Sequence, residues 1–439
     1  MSHKKIQSDQ VMKVLLVHQN FPGQMRHLGL AMHRRGDEVI SIGGPQSAKQ
    51  APWQLIRYNK LISSAPNPCH PWAEDSLSKL MRAETVGVIM NELKSKNWIP
   101  DLVVGHSGWG ELIPVKDIFP DVPVLHYLEM FYQPRGLDVD FDPEFATQGW
   151  AMQTKVRIKQ TLQLLALQDL NTVLMPTRFQ ADTIPHEYQH KCDIIHEGID
   201  TEAISPIDDR YITLKKAGLT LRKGDEVVSF VNRSLEPMRG FHVFMRSLPK
   251  LQQLRPNAQI IIVGSENVSY GQPPQGHANW KDAMLHELSG KIDLSRIHFV
   301  GKVPHDTLHD IFRICSCHVY LTYPFVLSWS MLEAMSCGAV VIGSKTPPVE
   351  EVIEHQKNGL LVDFFDTNEL AETIAQVLSD PDQYKTLAQQ ARKTIQERYD
   401  LNTVCLPKLL NLVDTLAKTG NSIIPAATYG TTQNLGCRS

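Results

Sequence analysis

The stretch Tyr323-Pro-Phe-Val-Leu-Ser-Trp-Ser-Met-Leu-Glu333-Ala-Met-Ser-Cys-Gly338-Ala-Val-Val-Ile-Gly343 decides the reading of the fold. It reads as a strand end, a tight loop, a helix that opens on small residues and stops at Gly338, and then a buried strand. A helix that starts at the C-terminal end of a parallel strand offers free backbone N–H groups and the positive end of its dipole. Such a place holds phosphate. Glu333, one turn inside, can then accept hydrogen bonds from a sugar or ribose diol.

Upstream, Asn232-Arg233-Ser-Leu-Glu-Pro-Met-Arg239-Gly240 follows the apolar run Val227–Val231. Two guanidinium groups at a strand's C-terminal end can each bond bidentately and clamp a diphosphate. Together with Glu333 they point to a nucleotide-sugar site. Each feature has a plainer reading. The arginines can be surface residues, one of them paired with Glu236, and Ser330-Met-Leu-Glu333 matches a capping box.

Working outward, near-continuous aliphatic runs recur at Gln259–Val263, His298–Val300, His318–Leu321, Ala339–Ile342 and, shorter, Gly359–Val362. A parallel sheet covered on both faces requires such runs. A similar series fills the first half: Val11–Val17, Glu38–Ile42, Leu102–Val104, Val122–His126, Thr172–Met175 and Cys192–Ile195. A helix closing at Gly36 and helices near 75–96 and 150–169 separate several of them. The expected fold is α/β, with two Rossmann-like doubly wound domains facing a cleft. The expected division is a flexible tail over 1–10, a first domain over 11–205, a linker over 206–226 and a second domain over 227–400. A helix over 401–420 packs back on the first domain, and 421–439 form a mobile tail. The polar loop 266–280 follows a strand end, so it belongs either to the cleft or to a surface insertion.

The 439 residues suit two domains. A net charge of −3 argues against a general nucleic-acid binder. No apolar run approaches the roughly 20 residues that span a bilayer, and the N-terminus lacks the apolar core of a secretion signal. A cytoplasmic protein is expected. The seven cysteines are scattered and odd in number, which fits reduced thiols. Cys315-Ser-Cys317-His318 lacks a second ligand pair at zinc-like spacing and reads as core.

In the first half, Gln19-Asn-Phe-Pro-Gly23-Gln24 follows the first strand, and Gly23 allows close backbone approach to a diphosphate or acceptor. An ordinary turn is the alternative. His126, followed by Tyr127-Leu-Glu129, and His106 each end a strand. Asp138-Val-Asp140 has the spacing of a metal-binding acid pair but lies in an acidic, Gly- and Pro-flanked loop, and reads as solvated or acceptor-facing. Arg26, His27, His33, Arg34 and Arg35, with Lys155, Arg157 and Lys159, form basic clusters. These can touch anionic lipid as a peripheral contact on the inner face of a membrane, or can simply be solvated.

The second half resembles the donor domain of family 4 glycosyltransferases, which have the GT-B fold. That family's pattern is an acid, Gly-Phe-Gly, a second acid eight positions after the first, and then Ala-Met-Ala-Cys-Gly. Here the second acid is Glu333, followed by Ala334-Met335-Ser336-Cys337-Gly338. The family's paired basic residues match Arg233 and Arg239, with arginine where lysine is usual at the second position. Val349-Glu350-Glu351-Val352-Ile353 resembles its Pro-Glu-Val-Ile segment, and His196-Glu-Gly-Ile-Asp200 its Asn-Gly-Val-Asp hinge. With Gln19–Gln24, the last motif marks a subgroup.

The resemblance implies retaining transfer from a nucleoside diphosphate sugar, UDP- or GDP-linked, to a glycan, lipid-linked glycan or small-molecule hydroxyl, without cofactor or metal. It implies His126, Arg233 and Arg239 as catalytic residues. Gly23, Gln24, Phe325, Leu327, Ser328, Trp329, Ser330 and Glu333 are the implied donor-binding set, and His106 and Glu129 the acceptor-side or secondary residues. One departure stands out: the family's first acid, which contacts the donor sugar, falls on Phe325, and its second glycine on Ser328. A phenyl ring accepts no such hydrogen bond. A nucleotide-sugar epimerase or hydrolase, or a non-catalytic nucleotide- or glycan-binding partner, are the competing readings.

Overall fold

A computed structural model describes residues 11–64, 69–146, 149–168, 171–215 and 217–420. The two expected tails lie outside these residues. The chain divides into two compact units. The first takes its described residues from Met1–Pro134, Gln148–Glu197 and Leu406–Ser439, and the second from Arg135–Thr147 and Gly198–Cys405.

The first unit is built on a seven-stranded sheet of β1 (Lys13–Val17), β2 (Glu38–Gly43), β3 (Gln54–Arg57), β4 (Leu102–His106), β5 (Val124–Tyr127), β6 (Thr172–Met175) and β7 (Cys192–Ile194). Every pairing is parallel, in the order β3-β2-β1-β4-β5-β6-β7. Successive residues of β1 enter opposite cores: Val14 and Leu16 join one cluster, Leu15 and Val17 the other. That period of two is why β1 is apolar at every position from Val14 to Val17. The helix Arg26–Arg35 ends at Gly36, whose φ of 100° makes it the left-handed cap. The C-terminal helix Leu406–Thr419 belongs to this unit, burying Leu409, Leu412, Val413 and Leu416 beside Val14 and Leu16. Arg35 Nη1 also lies 2.8 Å from Asp414 Oδ1.

In the second unit, the six parallel strands are β10 (Val227–Ser234), β11 (Gln259–Ser265), β12 (Ile297–Gly301), β13 (Cys317–Tyr320), β14 (Val340–Ser344) and β15 (Leu360–Val362). Their order is β12-β11-β10-β13-β14-β15. Both domains are therefore parallel-sheet α/β, Rossmann-like units.

Two segments depart from the sequence expectation. Residues read as a linker form an antiparallel ribbon, β8 (Tyr211–Leu214) with β9 (Leu219–Arg222). Ile212, Leu214 and Leu221 are buried in the second unit's core. Arg135–Thr147 groups with the second unit although the sequence reading keeps it in the first domain. Asp142 explains the grouping: it accepts from the Tyr323 hydroxyl at 2.8 Å and lies 3.0 Å from His242 Nε2, all three side chains being buried. Arg246 reinforces it, pairing with both Glu144 and Glu287 at 2.6 Å.

Candidate active site

In open α/β sheets, ligands meet the carboxyl ends of the strands where the strand order reverses. In the second unit that point lies between β10 and β13. Arg233 is at the end of β10, exposed, with no hydrogen bond or ion pair to any described residue. Arg239 follows in the turn Pro237–Arg239, which is closed by Gly240 at φ 67°. A Cβ at Gly240 would run into Leu321, so this turn needs glycine.

The Arg239 guanidinium is buried and held on one side. Nη1 donates to Thr322 Oγ1 and to the Val326 carbonyl, both at 2.9 Å. Its carbon lies 5.4 Å from the ring centroids of both Tyr270 and Phe325, which themselves meet at 5.1 Å. Nε and Nη2 have no partner among the described residues, and so remain available to an anion.

After β13 the chain turns through Phe325 and Leu327, both buried, into the helix Trp329–Ser336. Ser328 N donates to the Tyr320 hydroxyl at 2.8 Å, which fixes the loop to the strand below. Ser328 is the N-cap, accepting from Ser330 N at 3.4 Å, and the two serine hydroxyls meet at 3.0 Å. Ser330 therefore sits inside the first turn, and the capping box read from Ser330 and Glu333 does not form. Glu333 is 8% exposed, its carboxylate makes no hydrogen bond, and His309 Nε2 lies 3.8 Å from its Oε1. Trp329 is more than one-third exposed.

Glu236 pairs with neither arginine. Its buried carboxylate accepts the backbone N–H groups of Ser269, Tyr270 and Gly271 at 3.3, 3.1 and 2.9 Å. This pins the 266–280 loop and delivers Tyr270 to Arg239. Of the two readings of that loop, the structure supports membership of the site.

The first unit has its own cluster at its reversal point, between β1 and β4. Gly23 has φ 45°, and a Cβ there would lie 2.6 Å from the His18 ring. Gln24 Nε2 donates to Glu129 Oε1 at 3.3 Å, and His106 Nε2 lies 3.8 Å from Glu129 Oε2. His18 and His106 meet edge to face at 5.7 Å. Burial and the neighbouring His106 push the His18 pKa down to about 4, so it is a neutral acceptor at pH 7.

His126 is not brought into this cluster. In the β4–β5 register His106 pairs with Tyr127 and Gly105 with His126, so His126 points to the opposite face of the sheet from Tyr127. There it is fully enclosed, bonded to Ser107 Oγ at 3.0 Å. Burial, with a contribution from Lys116, lowers its pKa to about 3.

Two family models match the chain: the glycosyl transferase family 4 group over residues 35–204 and the glycosyl transferases group 1 over residues 212–394. The chain is a two-domain glycosyltransferase. Among curated proteins it is similar to D-inositol 3-phosphate glycosyltransferase of Rhodococcus jostii, 24% identical over 377 residues, or 82% of this chain and 77% of that one. Among solved structures, sucrose-phosphate synthase from Thermosynechococcus elongatus matches with a TM-score of 0.69 at 18% identity, covering 93% of this chain and all (100%) of that one. Anabaena HepE in complex with UDP matches with a TM-score of 0.64 at 18% identity, covering 92% and 100%. These structures share the GT-B fold.

The glycosyltransferase thus gathers Arg233, Arg239, Phe325, Leu327, Ser328, Trp329, Ser330 and Glu333 at one switch point. It gathers Gly23, Gln24, His106 and Glu129 at the other. Sequence reasoning missed Tyr270 and His309. The polar loop after β11 hinted at the first, and the His305/His309 spacing of one helical turn could have flagged the second.

Proposed function

We propose that this glycosyltransferase moves a hexosyl group from a UDP-linked sugar to an acceptor hydroxyl with retention of configuration. The observation that carries the donor assignment is the pair of unsatisfied groups at one switch point: Arg233, with no partner among the described residues, and Glu333, a buried carboxylate without a hydrogen bond. Native structures rarely leave a buried carboxylate such as Glu333 unmatched, and an exposed guanidinium beside it is open to an anion. HepE, solved with UDP and with UDP-glucose, supports UDP over GDP.

In this reading Glu333 accepts both ribose hydroxyls. Bond cleavage builds negative charge on the leaving diphosphate. Arg233, the open edge of Arg239 and the first N–H groups of the Trp329–Ser336 helix stabilise that charge. A departing phosphate oxygen takes the acceptor's proton, since no carboxylate nucleophile is called for. With an aromatic ring in place of the family's first acid, Phe325 orients Arg239 rather than contacting sugar hydroxyls. His106 and Glu129 serve the acceptor side, Gly23 and Gln24 serve the donor, and neutral His18 supports them. The acceptor is a glycan, a lipid-linked glycan or a small molecule. No helix among the described residues is long and apolar enough to cross a membrane. The basic residues Arg34, Arg35, Lys155, Arg157 and Lys159 support peripheral contact with anionic lipid from the cytoplasmic side.

The test is acceptor-dependent release of UDP from UDP-glucose and related donors, with the anomeric coupling of the product read by NMR. Release without acceptor marks a hydrolase, and an isomerised sugar marks an epimerase. Inversion at the anomeric carbon refutes retention.

A further inference from the structure

Beside the proposed ribose site stand two histidines that the transfer reaction does not use. The helix His305–Ile314 carries His305 and His309 one turn apart on the same face, with ring centroids 6.2 Å apart. Glu333 comes from the helix Trp329–Ser336, which packs against it. One donor atom from each of the three residues lies within 4.8 Å of the other two. The His309 Nε2–Glu333 Oε1 distance is 3.8 Å.

We propose that His305, His309 and Glu333 form a binding site for a zinc-like divalent cation, and that its occupancy opposes nucleotide binding by engaging Glu333. Three observations carry this. The donor set is two imidazoles and one carboxylate, which suits zinc and its first-row neighbours and does not suit magnesium or calcium, with their preference for oxygen ligands. Zinc bonds of about 2.0–2.2 Å hold neighbouring ligand atoms somewhat closer than the distances found here. His305 is exposed, and its side chain has room to adjust towards the other two. Finally, His309 Nε2 is buried without a hydrogen-bond partner, and it faces a carboxylate that also lacks one. Two unmatched groups that face each other across 3.8 Å suit a cation placed between them. Three protein ligands leave a fourth position for water.

The competition follows from the assignment of Glu333 to the ribose diol, and that arm rests on the proposed function. A carboxylate coordinated through one oxygen is a poorer acceptor, and the cation with its water fills space beside it. Cation binding itself does not depend on the nucleotide reading.

The full chain, freed of metal by a chelator, would be titrated with Co2+ by visible absorption and with Zn2+ by calorimetry. The UDP affinity would then be measured with and without saturating Zn2+. The expected result is one site, weakened at least about tenfold in His305→Ala and in His309→Ala, and a UDP affinity that falls when Zn2+ is present. In His305→Ala the UDP affinity in chelator should equal that of the wild type and should no longer respond to Zn2+. His305→Gln, which keeps a polar side chain on the exposed helix face, guards against a folding artefact. Metal binding that survives both histidine changes overturns the site, and a UDP affinity indifferent to Zn2+ overturns the competition. Should UDP fail to bind even in chelator, the donor reading falls, and the Co2+ spectrum of wild type against the variants alone decides the cation site.

Discussion

The guanidinium carbon of Arg239 lies 5.4 Å from the ring centroid of Phe325, so two of the departures from the family pattern are in contact. Arginine replaces the usual lysine, and an aromatic ring replaces the usual acid. A planar guanidinium can lie against rings such as Phe325 and Tyr270 and still offer N–H groups at its edge. A lysine ammonium, strongly hydrated and compact, fits such a pocket poorly. Phe325 therefore reads as the packing partner of Arg239.

Arg239→Lys should consequently not behave as a conservative change. Losing the two aromatic contacts and the Nη1 bonds should cost about 1–2 kcal/mol of stability. UDP should bind roughly tenfold more weakly. Thermal unfolding and a calorimetric titration read these two effects separately. An unchanged UDP affinity would remove Arg239 from the donor site.

Glu333 offers a sharper test, because its proposed partners are the ribose hydroxyls alone. Hydrogen bonds to a charged group contribute about 1.5–3 kcal/mol each, so Glu333→Ala should weaken UDP at least roughly tenfold. A 2′,3′-dideoxy analogue should bind both proteins equally. Equal losses for UDP and the analogue would assign Glu333 to some other part of the ligand.

Gly23 combines φ 45° with a His18 ring 2.6 Å from where a Cβ would sit. Gly23→Ala should destabilise the chain by about 1–3 kcal/mol through backbone strain and displacement of the ring. The midpoint of urea unfolding measures this. A wild-type midpoint would show that the turn relaxes freely.

Buried histidines set the response to acid. Burial holds His126 and His318 near pKa 3 and His18 and His196 near 4, His18 with help from His106. All four lie below the 6.5 of a free imidazole. The unfolded chain then binds protons that the folded chain refuses, so their contribution is present above pH 6.5 and is lost as pH falls towards 4 and 3. Each histidine adds at most about 1.4 kcal/mol per pH unit in that window. Denaturant unfolding at a series of pH values should show this slope, shallower in His126→Gln. A stability independent of pH between 6.5 and 4 would contradict the burial of these rings. His126→Gln should also retain turnover in its folded fraction, whereas His106→Ala should not.

The parts legible in the sequence were those encoded locally. The β-branched runs of β10, β11 and β14 could only be buried parallel strands, and the spacing of Arg233, Arg239 and Glu333 around strand ends marked one switch point. Other features were hidden for physical reasons. Ile212, Leu214 and Leu221 alternate with exposed residues as a ribbon should, but flanking charges and Pro206 made the segment look like a linker. Arg135–Thr147 owes its place to Asp142 meeting Tyr323, 181 residues away, a pairing that no local pattern encodes. The place of His126 away from His106 follows from parity, because one residue along a strand moves a side chain to the other face. Tyr270 reaches Arg239 only because Glu236 captures three backbone N–H groups of its loop.

The central claim is that Arg233, Arg239 and Glu333 together hold a nucleoside diphosphate. Its most direct test is calorimetric titration of UDP, GDP, ADP and TDP into the full chain and into Arg233→Ala. The account predicts binding of UDP in preference to the others, weakened at least roughly tenfold when Arg233 is removed. Failure of every nucleotide to bind, or UDP binding equally strong in Arg233→Ala, would contradict it.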